Sequence, residues 1–225
     1  MTVDPFGWAS RRIRPPLLHG AIRYAGAALF ALFLVRRVSE YDAYMLKPLW
    51  AVETLVYAAL LCAFVTRIDP VDRSTGWQDI FVPLLGGVLP FALLATPPHA
   101  AIADREGPLL AVFWCMTAGT ALTVWGMWTL RRAFSITVEA RELVTAGPYR
   151  WIRHPIYFGE IITASAVTAW RFSWPNLAVL LLFVTVQLFR ARREERKLLR
   201  CFRGYAARRS WWFWALDARK RSAGA

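Results

Sequence analysis

Residues 108–130 read PLLAVFWCMTAGTALTVWGMWTL, without a single Asp, Glu, Lys or Arg. About 20 mostly apolar residues make a helix that spans the hydrocarbon core of a bilayer, with about 17 as the lower limit. Lipid offers no hydrogen bonds, so a spanning segment must satisfy its own backbone, which a helix does within itself. This run commits the chain to a helical membrane fold. Five further apolar stretches point the same way: residues 21–35, 48–65, 80–96, 156–172 and 174–189. The first contains Arg23 and the second Glu53, and the third is interrupted by Gly86, Gly87 and Pro90. The expected fold class is therefore all-α, a polytopic integral membrane protein of about six transmembrane helices. The last two stretches are separated by almost nothing. They should form a tight helical hairpin around Ser173, with Pro175 in the first turn of the second helix.

The chain is 57% hydrophobic and carries 28 Lys and Arg against 15 Asp and Glu, a net charge of +13. Such an excess suits a nucleic-acid binder or a membrane protein. The placement of the charges decides, because they cluster between apolar runs of membrane length. Cytoplasmic loops of membrane proteins are enriched in Lys and Arg. Arg11, Arg12 and Arg14 precede the first run, Arg67 and Arg73 follow the second, and Arg131, Arg132, Arg141, Arg150 and Arg153 follow the fourth. A dozen more lie from Arg190 to Arg221. The opposite side holds Arg36, Arg37, Lys47, Arg105 and Arg171. Both termini are expected in the cytoplasm. The basic tail, with SWWFWAL at residues 210–216, reads as an interfacial segment drawn to lipid headgroups rather than as a nucleic-acid surface. The three cysteines make no disulfide framework and have no zinc-ligand spacing, so no metal is expected. The N-terminus lacks a short apolar core with a cleavage site, so the first apolar run is expected to stay as an anchor. The end, RSAGA, has no prenylation box.

Two polar blocks flank the last hairpin. One is the loop before it, which ends in GPYRWIRHPIYFGE at residues 147–160; the other starts at Arg190. Both emerge on the cytoplasmic side, so they should lie side by side. Pro155 suits the first position of a helix. That accounts for the proline but not for His154 between Arg153 and Tyr157, with Tyr149 upstream. Arg190 and Glu194 are four apart on a continuing helix and share a face. Taken alone, Glu194 and Glu195 are more simply read as neutralising neighbouring arginines. Glu53 has two readings, as a residue lining a substrate path or as one bonded to a neighbouring helix or near the interface. Gly86, Gly87 and Pro90 read as close packing with a kink.

LVTAGPYRWIRHPIYFGE at residues 143–160, followed after the hairpin by RARREERKLLRCF at residues 190–202, resembles the membrane-embedded methyltransferases. That family includes isoprenylcysteine carboxyl methyltransferase and the phospholipid N-methyltransferases. TLRRAFSI at residues 129–136 is similar to the segment before this loop in bacterial members. The resemblance covers roughly the C-terminal third of the chain. It divides the protein into an N-terminal membrane region, residues 1–130 with four spans, and a methyltransferase-like region, residues 131–225. It implies a cytosolic pocket for S-adenosylmethionine, formed by the loop before the hairpin and the helix after it. By this resemblance Arg141, Glu142, Leu143, Val144, Tyr149, His154, Pro155, Ile156, Tyr157 and Glu194 bind the cofactor. Arg190 faces the acceptor, and Arg190 and Glu194 are the implied catalytic pair. The implied home is the bacterial inner membrane.

The residue types suit that chemistry. Histidine, arginine and backbone amides can hold a carboxylate, and glutamate can hold an amine or ribose hydroxyls. Methyl transfer from a sulfonium needs mostly proximity and in-line alignment. A carboxylate acceptor needs no base but a cation to orient it, which Arg190 supplies. An amine acceptor arrives protonated and needs a base, for which Glu194 and Glu195 are placed. The expected reaction is methylation of a lipophilic or membrane-associated acceptor, in the first instance a carboxylate, otherwise a phospholipid amine. The tail departs from the family pattern: Gly204 is displaced by one, Arg208 stands near a usual tyrosine after Tyr205, and the usual proline is absent. An NADPH-dependent membrane reductase of the sterol type is the alternative enzyme, and a non-catalytic membrane protein the third reading. Sterol-type reductases typically have asparagine where Ile156 stands.

Overall fold

The computed structural model describes residues 15–66, 77–134 and 142–202. Arg141, Gly204, Tyr205, Arg208 and residues 210–216 lie outside them. Among the described residues the regular elements are all helical. They are α1 (Pro15–Ser39), α2 (Lys47–Thr66), α3 (Trp77–Ala92), α4 (Ala100–Ala103), α5 (Glu106–Leu130), α6 (Pro155–Trp170) and α7 (Trp174–Cys201), with four single 3₁₀ turns. Three of these, α2, α5 and α7, are long and apolar enough to cross a membrane, and a shorter apolar helical stretch runs over Phe81–Ala95. The sequence led to six crossings, three more than meet both criteria. For α3 and α6 the reason is length. Each has 16 residues, about 24 Å at 1.5 Å per residue and short of a 30 Å hydrocarbon core.

The helices pack in a chain of neighbours, α1 on α2, α2 on α5, α5 on α6, and α3 on α7. Without a hydrophobic drive between helices in lipid, association rests on close backbone approach and polar contacts. The α5–α6 crossing shows this. Gly119 and Gly159 face each other, and a methyl added at Gly119 would lie 2.8 Å from the Gly159 carbonyl and 2.9 Å from Thr163 N. Thr120 and Thr163 hydroxyls meet at 3.3 Å, and Thr123 donates across to the Ile156 carbonyl at 3.4 Å. Gly159→Ala is expected to lower stability by about 1–3 kcal/mol through overpacking, read as a fall in the thermal unfolding midpoint in detergent. Gly87→Ala serves as the control, because nothing lies within 4 Å of its added methyl. A midpoint unchanged in Gly159→Ala would show that the helices can separate without cost.

Outside the site, polar side chains tie helix ends together. Glu53 accepts from the Tyr44 hydroxyl at 2.7 Å and pairs with Arg37 at 3.4 Å, so the turn between α1 and α2 accounts for both charges. The α6–α7 hairpin forms around Ser173, whose hydroxyl accepts from Asn176 N at 3.2 Å as the N-cap of α7, with Pro175 behind it. Asn176, 2% exposed, donates to the Leu93 carbonyl at 3.1 Å and to Thr96 Oγ1 at 2.7 Å. These bonds fasten the hairpin to the end of α3 and so fix how α7 leaves it.

α3 continues through Pro83 and Pro90. A methyl at Gly86 would lie 3.2 Å from both Val186 Cγ1 and Arg190 Nη1, so the missing side chain is what lets α7 settle against α3. Near the start of α3, Asp79 is 1% exposed and pairs with Arg193 at 2.6 Å and Lys197 at 3.0 Å, while Gln78 accepts from Arg193 at 2.9 Å.

Candidate functional site at the junction of α6 and α7

The loop before α6 is shaped by Gly147, which has φ of +54°, a region that side chains rarely enter. A methyl there would also press within 2.7 Å of Thr129 Oγ1, so glycine lets the loop dock on the end of α5. Trp151 packs on Trp125 of α5, ring centres 6.1 Å apart. A 3₁₀ turn, Gly147–Arg150, follows and buries Pro148 and Tyr149. Pro155 then starts α6 with its ring buried.

His154 stands at the N-cap of α6 but does not cap it. Its imidazole, 6% exposed, crosses to α7, where Nδ1 lies 3.7 Å from Glu194 Oε2 and Nε2 lies 3.5 Å from Glu195 Oε1. A neutral imidazole has one N–H and can serve only one of two carboxylates, whereas a protonated ring serves both. Arg153 Nη1 donates to Glu195 Oε1 at 3.3 Å. The Tyr157 ring stacks on His154 at 5.5 Å, and its hydroxyl donates to Glu194 Oε1. The Arg190 guanidinium lies over the other aromatic neighbour of this group, 4.7 Å from the Tyr157 ring centre. Arg190 and Glu194 thus reach the same tyrosine from one face of α7. Burial, with the nearby charge of Glu194, pushes the Tyr149 phenol well above its ordinary pKa, so it remains a hydrogen-bond donor at neutral pH.

The structure therefore brings Tyr149, His154, Tyr157, Arg190 and Glu194 into one cluster, with Arg153 and Glu195 added to it. Pro155 and Ile156 belong to the adjoining first turn, where Ile156 packs among Ala59, Met127 and Ala191. Leu143 and Val144 are half-buried in the extended segment leading to Gly147, and Glu142 before them is exposed. The sequence reading weighed Glu160 only as compatible with the reductase alternative and gave no role to Gln187, both of which adjoin the cluster, or to Asp79 beneath α7. The Gln187 amide donates to Glu160 and accepts from Arg190 Nη1 at 2.9 Å. Each is a polar residue within or at the start of an apolar run, and that signal marks such positions for attention. Among the described residues no group of three or more His, Cys, Asp and Glu is placed to hold a metal ion.

This donor set has the chemistry to hold a zwitterion. Arg153 and His154 suit a carboxylate, Glu194 and Glu195 an ammonium or vicinal hydroxyls, and the two tyrosines supply aromatic faces and phenolic donors. No curated protein and no solved structure matches the chain. The family comparison does give a match, and it covers α6, the loop before it, most of α5 and nearly all of α7. Residues 110–200 match the model of the isoprenylcysteine carboxyl methyltransferase (ICMT) family.

Proposed function

We propose that the protein transfers a methyl group from S-adenosylmethionine to an acceptor carried in the membrane, in the first instance a carboxylate. Three membrane-length helices and the family match support an integral membrane protein with methyltransferase character. The observation that carries the finer reading is His154 set between Glu194 and Glu195, with Tyr157 joining Glu194 to Arg190. When bound, the cofactor supplies a methyl group on a sulfonium, with a neutral thioether as leaving group.

The residues present fit its amino-acid end. They form a partly buried set of opposite charges in contact with one another. Binding a zwitterion exchanges internal ion pairs for ligand ion pairs, so no buried charge is left uncompensated. Arg153 and His154 would turn to the carboxylate and Glu194 to the amine, with Glu142, Leu143 and Val144 bordering the site. Arg141, outside the described residues, belongs to the same border by the family pattern. Arg190, on the acceptor side, would orient a carboxylate through its two-pronged guanidinium. An amine acceptor would instead place its proton on Glu194 or Glu195. The division at residue 130, six crossings in which the 16-residue α3 and α6 fall short of the full hydrocarbon core, and cytoplasmic termini complete the reading, with the site on the cytoplasmic face and acceptor entry from lipid.

Equilibrium binding to the purified chain separates the alternatives. S-adenosylhomocysteine binding without NADPH binding supports this reading. NADPH binding alone would replace it with the reductase, and binding of neither with a non-catalytic role. His154→Ala is expected to weaken S-adenosylhomocysteine by about tenfold or more, the scale of one lost charge-assisted bond. Unchanged affinity in a calorimetric titration would remove His154 from the pocket.

A further inference from the structure

Glu160 sits three residues beyond Tyr157 on α6, within an apolar run where a carboxylate is costly unless partnered. Its partner is Gln187 of α7, which is 1% exposed and donates its amide N–H to Glu160 Oε2. The other end of that amide accepts from Arg190 Nη1 at 2.9 Å. A primary amide is a donor at one end and an acceptor at the other. With a carboxylate on one side and a guanidinium on the other, only one orientation satisfies both. Reversal would set oxygen against carboxylate and N–H against guanidinium. Glu160, Gln187 and Arg190 are thus an ordered series of negative charge, dipole and positive charge. Arg190 is gripped along one edge by Gln187 and across its face by Tyr157, 4.7 Å away.

We propose that Glu160 and Gln187 are positioning residues that hold Arg190 in the orientation that receives the acceptor's carboxylate. This rests on the reading of Arg190 as the acceptor-facing group. An arginine side chain has many rotamers, and freezing them before the acceptor arrives removes that cost from binding. The bonded route runs to Arg190, so the effect should appear in acceptor KM and leave cofactor affinity untouched. Glu160 reaches Arg190 through the Gln187 amide as well as through its own charge, so the two residues are coupled, and removing both should cost less than the product of the single effects.

The test uses the full chain in lipid nanodiscs, labelled S-adenosylmethionine, and two acceptor probes: an N-acetyl-S-prenylcysteine and a total membrane extract. Glu160→Leu and Gln187→Leu are each expected to raise KM for the labelled probe by about tenfold, with S-adenosylhomocysteine affinity as in the parent. The double variant should fall short of the product of the two single effects. Glu160→Gln should restore KM to within about threefold, because its amide oxygen still accepts from Gln187. Glu160→Asp, which keeps the charge and shortens the reach, should raise KM and covers the case in which leucine prevents folding. Wild-type KM in both Glu160→Asp and Glu160→Leu would overturn the proposal. So would a loss of cofactor affinity equal to the rise in KM, or multiplying effects in the double variant. A parent chain that binds no S-adenosylhomocysteine overturns the methyltransferase reading itself. A parent that binds it but labels neither probe overturns the acceptor role of Arg190, and the relay with it.

Discussion

Arg190→Ala is expected to lower methyl transfer at least about 100-fold while S-adenosylhomocysteine affinity stays within about threefold, the signature of a group that acts on the acceptor and not on the cofactor. The side chain is 7% exposed and lies over Tyr157, yet Tyr157 keeps its separate bond to Glu194. His154 meets Glu194 and Glu195 through its own two ring nitrogens. Arg190→Lys retains the charge but loses the planar fork, so activity intermediate between parent and alanine variant is expected. The measurement is single-turnover transfer of labelled methyl alongside calorimetric binding. Loss of cofactor affinity in step with activity would move Arg190 to the other wall of the site.

The second large effect belongs to a residue remote from the chemistry. Asp79→Ala should destabilise the protein by about 3–5 kcal/mol, the usual cost of removing one member of a buried ion pair. Asp79 is 1% exposed, and its two oxygens take Arg193 and Lys197, the latter 4% exposed. A thermal unfolding series in detergent measures this. Replacing the charges as a set, Asp79→Leu with Lys197→Met, should recover much of the loss, because apolar residues of similar volume restore packing without desolvating ions. A double variant as unstable as Asp79→Ala would argue that the carboxylate does more than balance charge. Arg193 and Lys197 extend from the same two turns of α7 that carry Arg190, Glu194 and Glu195. Asp79 therefore also sets how those turns face the loop at His154, and transfer activity should fall together with the midpoint.

The local rules of the chain were readable where one segment decides the outcome. The uncharged run at residues 108–130 must be a helix in lipid, and it is α5. Ser173 and Pro175 mark the start of α7 by capping and by fixed φ, and both stand there. Glu53 was ambiguous because its partners, Arg37 and Tyr44, come from the preceding helix and turn, at distances that only packing fixes. The helical crossings were legible as apolar runs but not as lengths. Pro155 begins α6 and the turn at Arg171 ends it, so the apolar run is longer than the helix it can support.

Sequence alone determined that the chain is helical and membrane-bound, and that its polar chemistry flanks the last hairpin. Periodicity, hydrophobic length and fixed residue spacing are properties of one segment at a time, and they can be read along the chain. Only the tertiary structure decided which carboxylate meets which cation. His154 is drawn between Glu194 and Glu195, Arg190 is tied through Gln187 to Glu160, and Asp79 takes Arg193 and Lys197. The physical reason is that Coulomb and hydrogen-bond energies depend on separations of a few ångström between residues 27 to 118 positions apart. Those separations are set by the Gly119–Gly159 crossing, the Gly86 contact and the Asn176 tie, each a packing event that no single segment encodes.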